Sequence, residues 1–171
     1  MQRLYDWVGA FMAALACVTF IFLCLARTAQ VSGASMRPTL SEGDRLLIWE
    51  LGYHPQHGDI VVIDRSHKGE LPIIKRVIGL PGDVIDIDLA RGMVLRNHEP
   101  IAEPYTQGPT YLSWDVDFPV TVPDGALFVL GDNRSHSLDS RSSEIGMVDE
   151  QRLMGRAVFR LTPFYTAGWI E

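Results

Sequence analysis

The clearest feature of the hydropathy pattern is a long apolar run near the N-terminus. Residues 8–26 read VGAFMAALACVTFIFLCLA and contain no charged side chain. A helix of about nineteen residues is roughly 28 Å long at 1.5 Å per residue, which matches the hydrocarbon core of a bilayer. The run predicts a transmembrane anchor over residues 8–26, after a tail of residues 1–7. A cleaved secretory peptide is the alternative, although its apolar centre is usually shorter.

Beyond this run, apolar residues occur in short stretches separated by glycine, proline and polar turns. The stretches are rich in valine and isoleucine and predict β-strands at residues 45–49, 59–64, 72–78, 84–88, 93–95, 126–130 and 156–161. Residues 149–155 begin with an aspartate cap and end with glycine, which predicts one short helix. We therefore expect an all-β fold, a mainly antiparallel, barrel- or sandwich-like body, with one N-terminal transmembrane helix and one short C-terminal helix.

Composition limits the domain count and the class of partner. The chain has 171 residues, so we expect one β domain over residues 27–171, with a small lobe around the proline- and glycine-bearing residues 97–124. The net charge is −6 and no basic run occurs, so nucleic acid is not an expected partner. We expect no metal or other cofactor, because Cys17 and Cys24 lie in the apolar run and the histidines fall in turn-like sequence.

A segment rich in small residues, SGASMRPTL at residues 32–40, follows soon after the apolar run. Ser35 is a candidate nucleophile, because glycine and alanine allow close backbone approach, Pro38 fixes the turn and Met36 offers an apolar contact. An ordinary turn is the alternative, since serine, glycine and proline cluster in loops. The short connection from Ala26 reaches at most about 25 to 30 Å, so a catalytic serine here would meet its substrates close to a membrane surface.

A serine nucleophile needs a neighbouring base. Of the 15 basic residues only Lys68 and Lys75 are lysines, and arginine does not lose its proton in proteins. Lys68 lies in a polar turn, whereas Lys75 lies in a predicted strand and shares a face with Ile73 and Val77. Burial on that face favours the neutral amine that a base requires. A half-buried lysine that reaches water is the alternative.

Histidine is the rival base. All five histidines fall in turn-like sequence, where a solvent-facing side chain is the ordinary outcome: His54, His57, His67, His98 and His136. His136 is the strongest of them as a candidate, because it lies between Asp132 and Asp139.

Several motifs then follow one another along the chain. They are SGASMRPT at residues 32–39, GD at 43–44, GDIVV at 58–62, IKRVIGLPGD at 74–83, GDNR at 131–134 and SLDSR at 137–141. Together with the apolar run, this series resembles the type I signal peptidases, membrane-bound serine/lysine proteases that remove leader sequences from exported proteins. The match extends over almost the whole chain.

The resemblance implies a role for each of these candidate residues. Ser35 would be the nucleophile, and Lys75 the general base that later passes its proton to the leaving amine. Ser137 stands at the place of a serine that supports the lysine, and Asp139 and Arg141 would form a structural pair that fixes their loop. Some relatives have a serine two positions before the nucleophile that helps to hold the oxyanion. This chain has glycine there, so backbone N–H groups would carry that role.

The same resemblance indicates the substrate. Four residues beside the candidate catalytic pair would line shallow apolar pockets that favour small side chains in an Ala-x-Ala pattern before the cut: Val31, Met36, Ile73 and Ile74. Packing in the core is the alternative role for these four. An extended substrate would also pair with the edge of a strand.

The expected partners are therefore preproteins that carry signal peptides, together with membrane lipid. The resemblance implies a single-pass protein of a bacterial-type inner membrane, with its catalytic domain on the outer, periplasmic side, although the arginines that flank the apolar run favour the inside. Two alternative functions remain: a dedicated peptidase for one pilin- or conjugation-type client, or an inactive membrane-anchored β domain that binds extended peptides.

Overall fold

The computed structural model describes residues 2–25 and 27–170, with the side chains of residues 5–19 and 27–170. Helix α1 covers Gln2–Leu25. The strands are β1 Arg27–Gln30, β2 Arg45–Trp49, β3 Ile60–Ile63, β4 Ile73–Gly79, β5 Val84–Asp88, β6 Met93–Arg96, β7 Glu99–Pro100, β8 Val120–Thr121, β9 Ala126–Leu130, β10 Val148–Asp149, β11 Leu153–Thr162 and β12 Gly168–Trp169.

The strands form two antiparallel sheets. The larger has the order β1-β2-β11-β3-β4-β9-β10, with β12 paired to β11, and the smaller has the order β7-β6-β5-β8. In the smaller sheet, β5 and β6 form the predicted hairpin, with Ile85 opposite Arg96. The prediction of a mainly antiparallel β body is confirmed.

Strand β11 lies in the middle of the larger sheet. It pairs with β2 and β3 along its length and with β12 near its end. Gly155 in β11 has φ +132, and a Cβ at this position would lie 2.5 Å from Trp49 O. Glycine is therefore required where β2 passes close to β11 and the register with β3 shifts.

Apolar side chains pack in three clusters around β4. Alternate residues of this strand enter different clusters, because side chains alternate between the two faces of a strand. Ile74 packs with Met36, Val77 packs on the opposite face, and Ile78 packs against Ile85 of the smaller sheet. Strand β4 is therefore buried on both faces, and any polar side chain within it is removed from water.

Two predicted helices need comment. Among the described residues, no helix combines the length and the apolarity needed to cross a membrane. The transmembrane anchor predicted for residues 8–26 is therefore not confirmed, and Ala26 lies outside the described residues. The short helix predicted for residues 149–155 is wrong in extent. Only Glu150–Arg152 form a 3₁₀ turn, which Asp149 caps by accepting a hydrogen bond from Gln151 N.

Candidate active site

Ser35 lies in a turn that follows strand β1 and is fixed by buried neighbours. Met36 and Leu40 both belong to the apolar cluster beside β4, and Leu40 N donates a hydrogen bond to Met36 O at 2.9 Å. Ser35 itself is only partly buried. The turn therefore holds the Ser35 hydroxyl next to solvent on a well-packed segment.

The amine of Lys75, in the middle of β4, contacts this serine. Lys75 Nζ donates hydrogen bonds to Ser35 Oγ at 2.9 Å and to Ile74 O at 3.1 Å. The lysine side chain is 3% exposed, and no ion pair of Lys75 is found within residues 5–19 and 27–170. Burial lowers the pKa of Lys75 to about 8, because the charged form loses its hydration.

Charged groups around the amine act in opposite directions. Asp139 and Asp132 raise the pKa of Lys75, whereas Arg65 and Arg141 lower it. Burial is the largest influence, so the pKa of the amine falls despite the two carboxylates. The amine is shifted toward the neutral form that can accept a proton.

The serine turn is bound to the loop that follows β9. Asn133 N donates to Ser35 O at 3.0 Å, and Asn133 Nδ2 donates to Ala34 O at 3.1 Å. One asparagine therefore holds two successive carbonyl groups of the turn. Because this asparagine is buried, the contact fixes the backbone on both sides of the Ser35 amide.

A buried ion pair holds the same loop. Arg141 Nε and Nη2 donate to the two carboxylate oxygens of Asp139 at 2.8 and 2.9 Å, and both side chains are fully buried. Asp139 Oδ2 also accepts a hydrogen bond from Gly131 N at 3.0 Å. The carboxylate thus links the start of the loop to its end.

Ser137 is buried in this loop but is not bonded to the lysine. Its Oγ has no hydrogen-bond partner in the part of the chain that the structure describes. A Cβ added at Gly131 would collide with Ser137 and lie 2.5 Å from Ser35 O. Glycine is therefore required for the loop to approach the serine turn so closely.

The sequence pattern alone does not reveal a second buried ion pair beneath the site. Arg76 Nε and Nη2 donate to the two carboxylate oxygens of Asp132 at 2.9 and 2.8 Å, and Thr39 Oγ1 donates to Asp132 Oδ2 at 2.5 Å. Asp132 lies two residues after the end of a buried strand, and Arg76 lies inside one. A lone arginine and a lone aspartate in such positions indicate pairing, since unpaired buried charges are costly.

The residues that were predicted to contact substrate lie together. One cleft of about 240 Å³ is lined by Ser35, Lys75 and all four of the predicted residues, Val31, Met36, Ile73 and Ile74. It adjoins a larger cleft of about 540 Å³ along β1, with which it shares Val31 and Ile74. Arg65, which the sequence pattern does not single out, also lines the smaller cleft and is bound to Glu70 at 2.7 Å.

The strongest histidine candidate, His136, contacts a serine other than Ser35. His136 Nδ1 lies 2.8 Å from Ser135 Oγ. His57 Nε2 lies 2.7 Å from Asp83 Oδ2. In the described part of the chain, the side chain bonded to Ser35 Oγ is that of Lys75.

Comparison with known proteins identifies relatives over nearly the full length. The family model described as "Signal peptidase, peptidase S26" matches residues 4–162. The signal peptidase I of Bacillus licheniformis is 36% identical over 173 residues, which cover 95% of this chain and 91% of that protein. The probable signal peptidase I-1 of Synechocystis sp. is 36% identical over 175 residues, with 95% and 84% covered.

One solved structure is also similar. The crystal structure of a signal peptidase I from Enterococcus faecalis V583 is 30% identical in sequence and superposes with a TM-score of 0.49. The superposition covers 61% of this chain and 97% of that chain.

Proposed function

Since the chain belongs to the signal peptidase family, peptidase S26, we propose that it cleaves signal peptides from exported preproteins by serine/lysine acyl transfer. Membership of this family confirms the resemblance found in the motifs. The observation that carries the mechanism is the 2.9 Å contact between Lys75 Nζ and Ser35 Oγ, together with the burial of that amine.

In the first step, Lys75 acts as general base. Its neutral amine takes the proton of the Ser35 hydroxyl while Ser35 Oγ forms a bond to the scissile carbonyl carbon. The C–N bond of the resulting tetrahedral intermediate then breaks, and the ammonium returns the proton to the leaving amine. A pKa of about 8 suits both transfers, because a group that must accept and then return a proton does so best when its pKa lies not far from neutral pH.

The intermediate carries a negative charge on the former carbonyl oxygen. Within residues 2–25 and 27–170, the N–H group of Ser35 donates no hydrogen bond, so it is available to that oxyanion. Asn133 holds the carbonyls of Ala34 and Ser35 and so keeps this N–H group in a fixed direction. Donors that are already oriented stabilise a developing charge more effectively than mobile ones.

Hydrolysis of the acyl-enzyme completes the cycle. A water molecule attacks the ester carbonyl, Lys75 takes one of its protons, and Ser35 Oγ leaves with that proton. The signal peptide is released with a free carboxylate. Asp139 and Arg141 take no part in these bonds; they hold the loop on which the serine turn rests.

The apolar cleft accepts the residues before the cut. Val31, Met36, Ile73 and Ile74 give it apolar walls, and its small volume favours side chains such as alanine. The edge strand β1 borders the adjoining cleft and offers backbone groups to an extended peptide. We therefore assign Ala-x-Ala signal peptides as the substrate class.

The proposed place of action is the outer face of a bacterial-type inner membrane, where preproteins emerge. Support for contact with a membrane, though not for its side, comes from α1, on which Trp7 is 76% exposed and Phe11 is 69% exposed, since exposed aromatic side chains suit a lipid interface. Addition of protease to intact spheroplasts tests the orientation. Digestion of the β domain is expected, and its full protection would contradict the assignment.

The decisive experiment compares cleavage by the purified full chain and two variants. The substrate is a preprotein with an Ala-x-Ala site, and the measurement is the rate at which the mature product forms. Ser35→Ala and Lys75→Ala are each expected to lower this rate to background, because one removes the nucleophile and the other removes the base.

Matched controls exist elsewhere in the chain. Ser41 is exposed, and Lys68 Nζ donates to Glu144 O at the surface. Ser41→Ala and Lys68→Ala should therefore leave the rate unchanged. Continued cleavage by Ser35→Ala would refute the mechanism, and cleavage of only one among several unrelated preproteins would indicate a dedicated client.

A further inference from the structure

A second, polar cavity lies beside the serine turn, apart from the apolar clefts. Its volume is about 390 Å³, and among the described residues it shares none of its lining with the clefts that Val31 and Ile74 border. Ala34 and Arg37 line it, and these two residues flank Ser35 in sequence. Its other walls come from the loop after β9 and from residues 107–109 of the long connection between β7 and β8.

The serine turn separates the two spaces. Asn133 lines the polar cavity and is also the residue that holds the carbonyls of Ala34 and Ser35. Ser35 lines the apolar cleft instead. For a peptide whose scissile carbonyl is at Ser35 Oγ and whose acyl half is in the apolar cleft, the polar cavity is the space on the other side of the turn.

The charge of this cavity is positive. None of the described residues that line it is an aspartate or glutamate. Arg134 is bound to Glu103 by two hydrogen bonds, whereas exposed Arg37 forms no ion pair within the side chains that the structure describes. Among the basic side chains that line the cavity, Arg37 and His136 are therefore the two that can bind an anionic ligand.

We propose that this cavity binds the first residues after the cut and prefers an acidic side chain among them. The proposal rests on the proposed function, since it assumes that the acyl half occupies the apolar cleft. Arg37 supplies the charge, and His136 supplies an imidazole next to it. The smaller sheet then has a role in specificity, because its long connection provides Gln107 and Pro109 to the wall.

The test uses synthetic peptides with one Ala-x-Ala site and a single varied residue at each of the first three positions after the cut. The varied residue is glutamate, glutamine or lysine. For the full chain, kcat/KM is expected to be about fivefold higher for glutamate than for glutamine at one position, the effect of a single exposed charge pair. Lysine at that position should be the poorest substrate, and added salt should reduce the differences.

Variants of the cavity identify the source of the preference. Arg37→Gln should bring the glutamate-to-glutamine ratio close to one, and His136→Gln should lower it by less. Arg91 is a surface arginine of the smaller sheet, 75% exposed, so Arg91→Gln should keep the preference of the unmodified chain.

The possible failures are distinguishable. Equal kcat/KM for glutamate and glutamine at all three positions would overturn this proposal and leave the proposed function intact. A preference that survives in both Arg37→Gln and His136→Gln would also overturn it. If the peptides are not cleaved by a chain that cleaves full preproteins, the same substitutions are made in a preprotein; no cleavage of either substrate would refute the proposed function itself.

Discussion

Two regions next to the serine turn contain buried basic side chains, and these side chains differ in their partners. Two aspartates of the loop beneath the turn each bind a buried arginine through two hydrogen bonds: Asp139 binds Arg141, and Asp132 binds Arg76 of β4. At the apolar cleft, Lys75 is equally buried, yet it contacts a hydroxyl and a carbonyl. One region keeps its cations charged, and the other favours loss of a proton.

The choice of side chain follows from this difference. A guanidinium group does not lose its proton in proteins, so a buried arginine requires a carboxylate. An amine can become neutral, so a buried lysine without a carboxylate stays in place with a lowered pKa. The arginines that are bound to aspartates therefore stabilise the loop, and Lys75 can act as a base.

Removal of one carboxylate from the loop gives the largest expected effect. In Asp132→Asn, Arg76 would keep its charge in a buried site but lose the carboxylate to which it donates two hydrogen bonds. We expect the free energy of unfolding to fall by about 3 to 5 kcal/mol, the usual cost of breaking a buried pair from one side. Urea unfolding of the purified chain measures this change.

The matched control for this variant is Asp124→Asn. Asp124 is exposed and forms no hydrogen bond or ion pair within residues 5–19 and 27–170. Its replacement should change stability by less than about 0.5 kcal/mol. Equal stability of Asp132→Asn and Asp124→Asn would show that the arginine does not depend on its partner.

The pH dependence of cleavage tests whether the buried lysine, unlike the buried arginines, loses its proton. With a pKa of about 8 for Lys75, about one molecule in ten carries the neutral amine at pH 7, compared with about one in three thousand at an ordinary lysine pKa. Only the neutral form is a base, so kcat/KM should rise about tenfold per pH unit below the pKa and level off above it.

The measurement is kcat/KM for one preprotein between pH 6 and pH 10. Half of the maximal value is expected near pH 8. A profile that keeps rising to pH 10 would mean that the amine is as exposed as an ordinary surface lysine. A flat profile would mean that another group accepts the proton.

The strands of the body were predictable because their apolar runs are continuous. The run predicted at residues 59–64 forms β3 at Ile60–Ile63, and the run predicted at residues 72–78 forms β4 at Ile73–Gly79. Burial on both faces explains why β3 consists of valine and isoleucine and why most residues of β4 are of these two types. The edge strand β1, Arg27–Gln30, was not predictable, because its polar residues form a strand only through pairing with β2.

Residues 149–155 were misjudged for a physical reason. Asp149 does act as a cap, but Gly155 does not end a helix. It belongs to β11, where its missing side chain admits Trp49 O. Glycine permits both outcomes, and only the packing of the two strands decides between them.

The candidate site was partly predictable. A lysine in an apolar strand and a serine in a small-residue turn indicate a base and a nucleophile, but sequence does not give the distance between Lys75 and Ser35. The partner of Arg76 could not be identified either, because the chain has 21 acidic residues. The contact with Asp132 depends on how the end of β9 meets β4.

Replacement of Ser137 has the smallest expected effect on stability. It tests whether this residue belongs to the supporting loop or to the catalytic pair. Its hydroxyl is buried without a hydrogen-bond partner in the described part of the chain, so Ser137→Ala breaks no bond there and should not lower the melting temperature. The control is Ser140→Ala, which removes the acceptor of Val129 N at 3.0 Å and should cost about 1 kcal/mol. If Ser137 supports the lysine during the reaction, as the resemblance to the family implies, Ser137→Ala should cleave several-fold more slowly at undiminished stability. Loss of stability without loss of rate would instead show that Ser137 stabilises the loop, as the arginines bound to aspartates do.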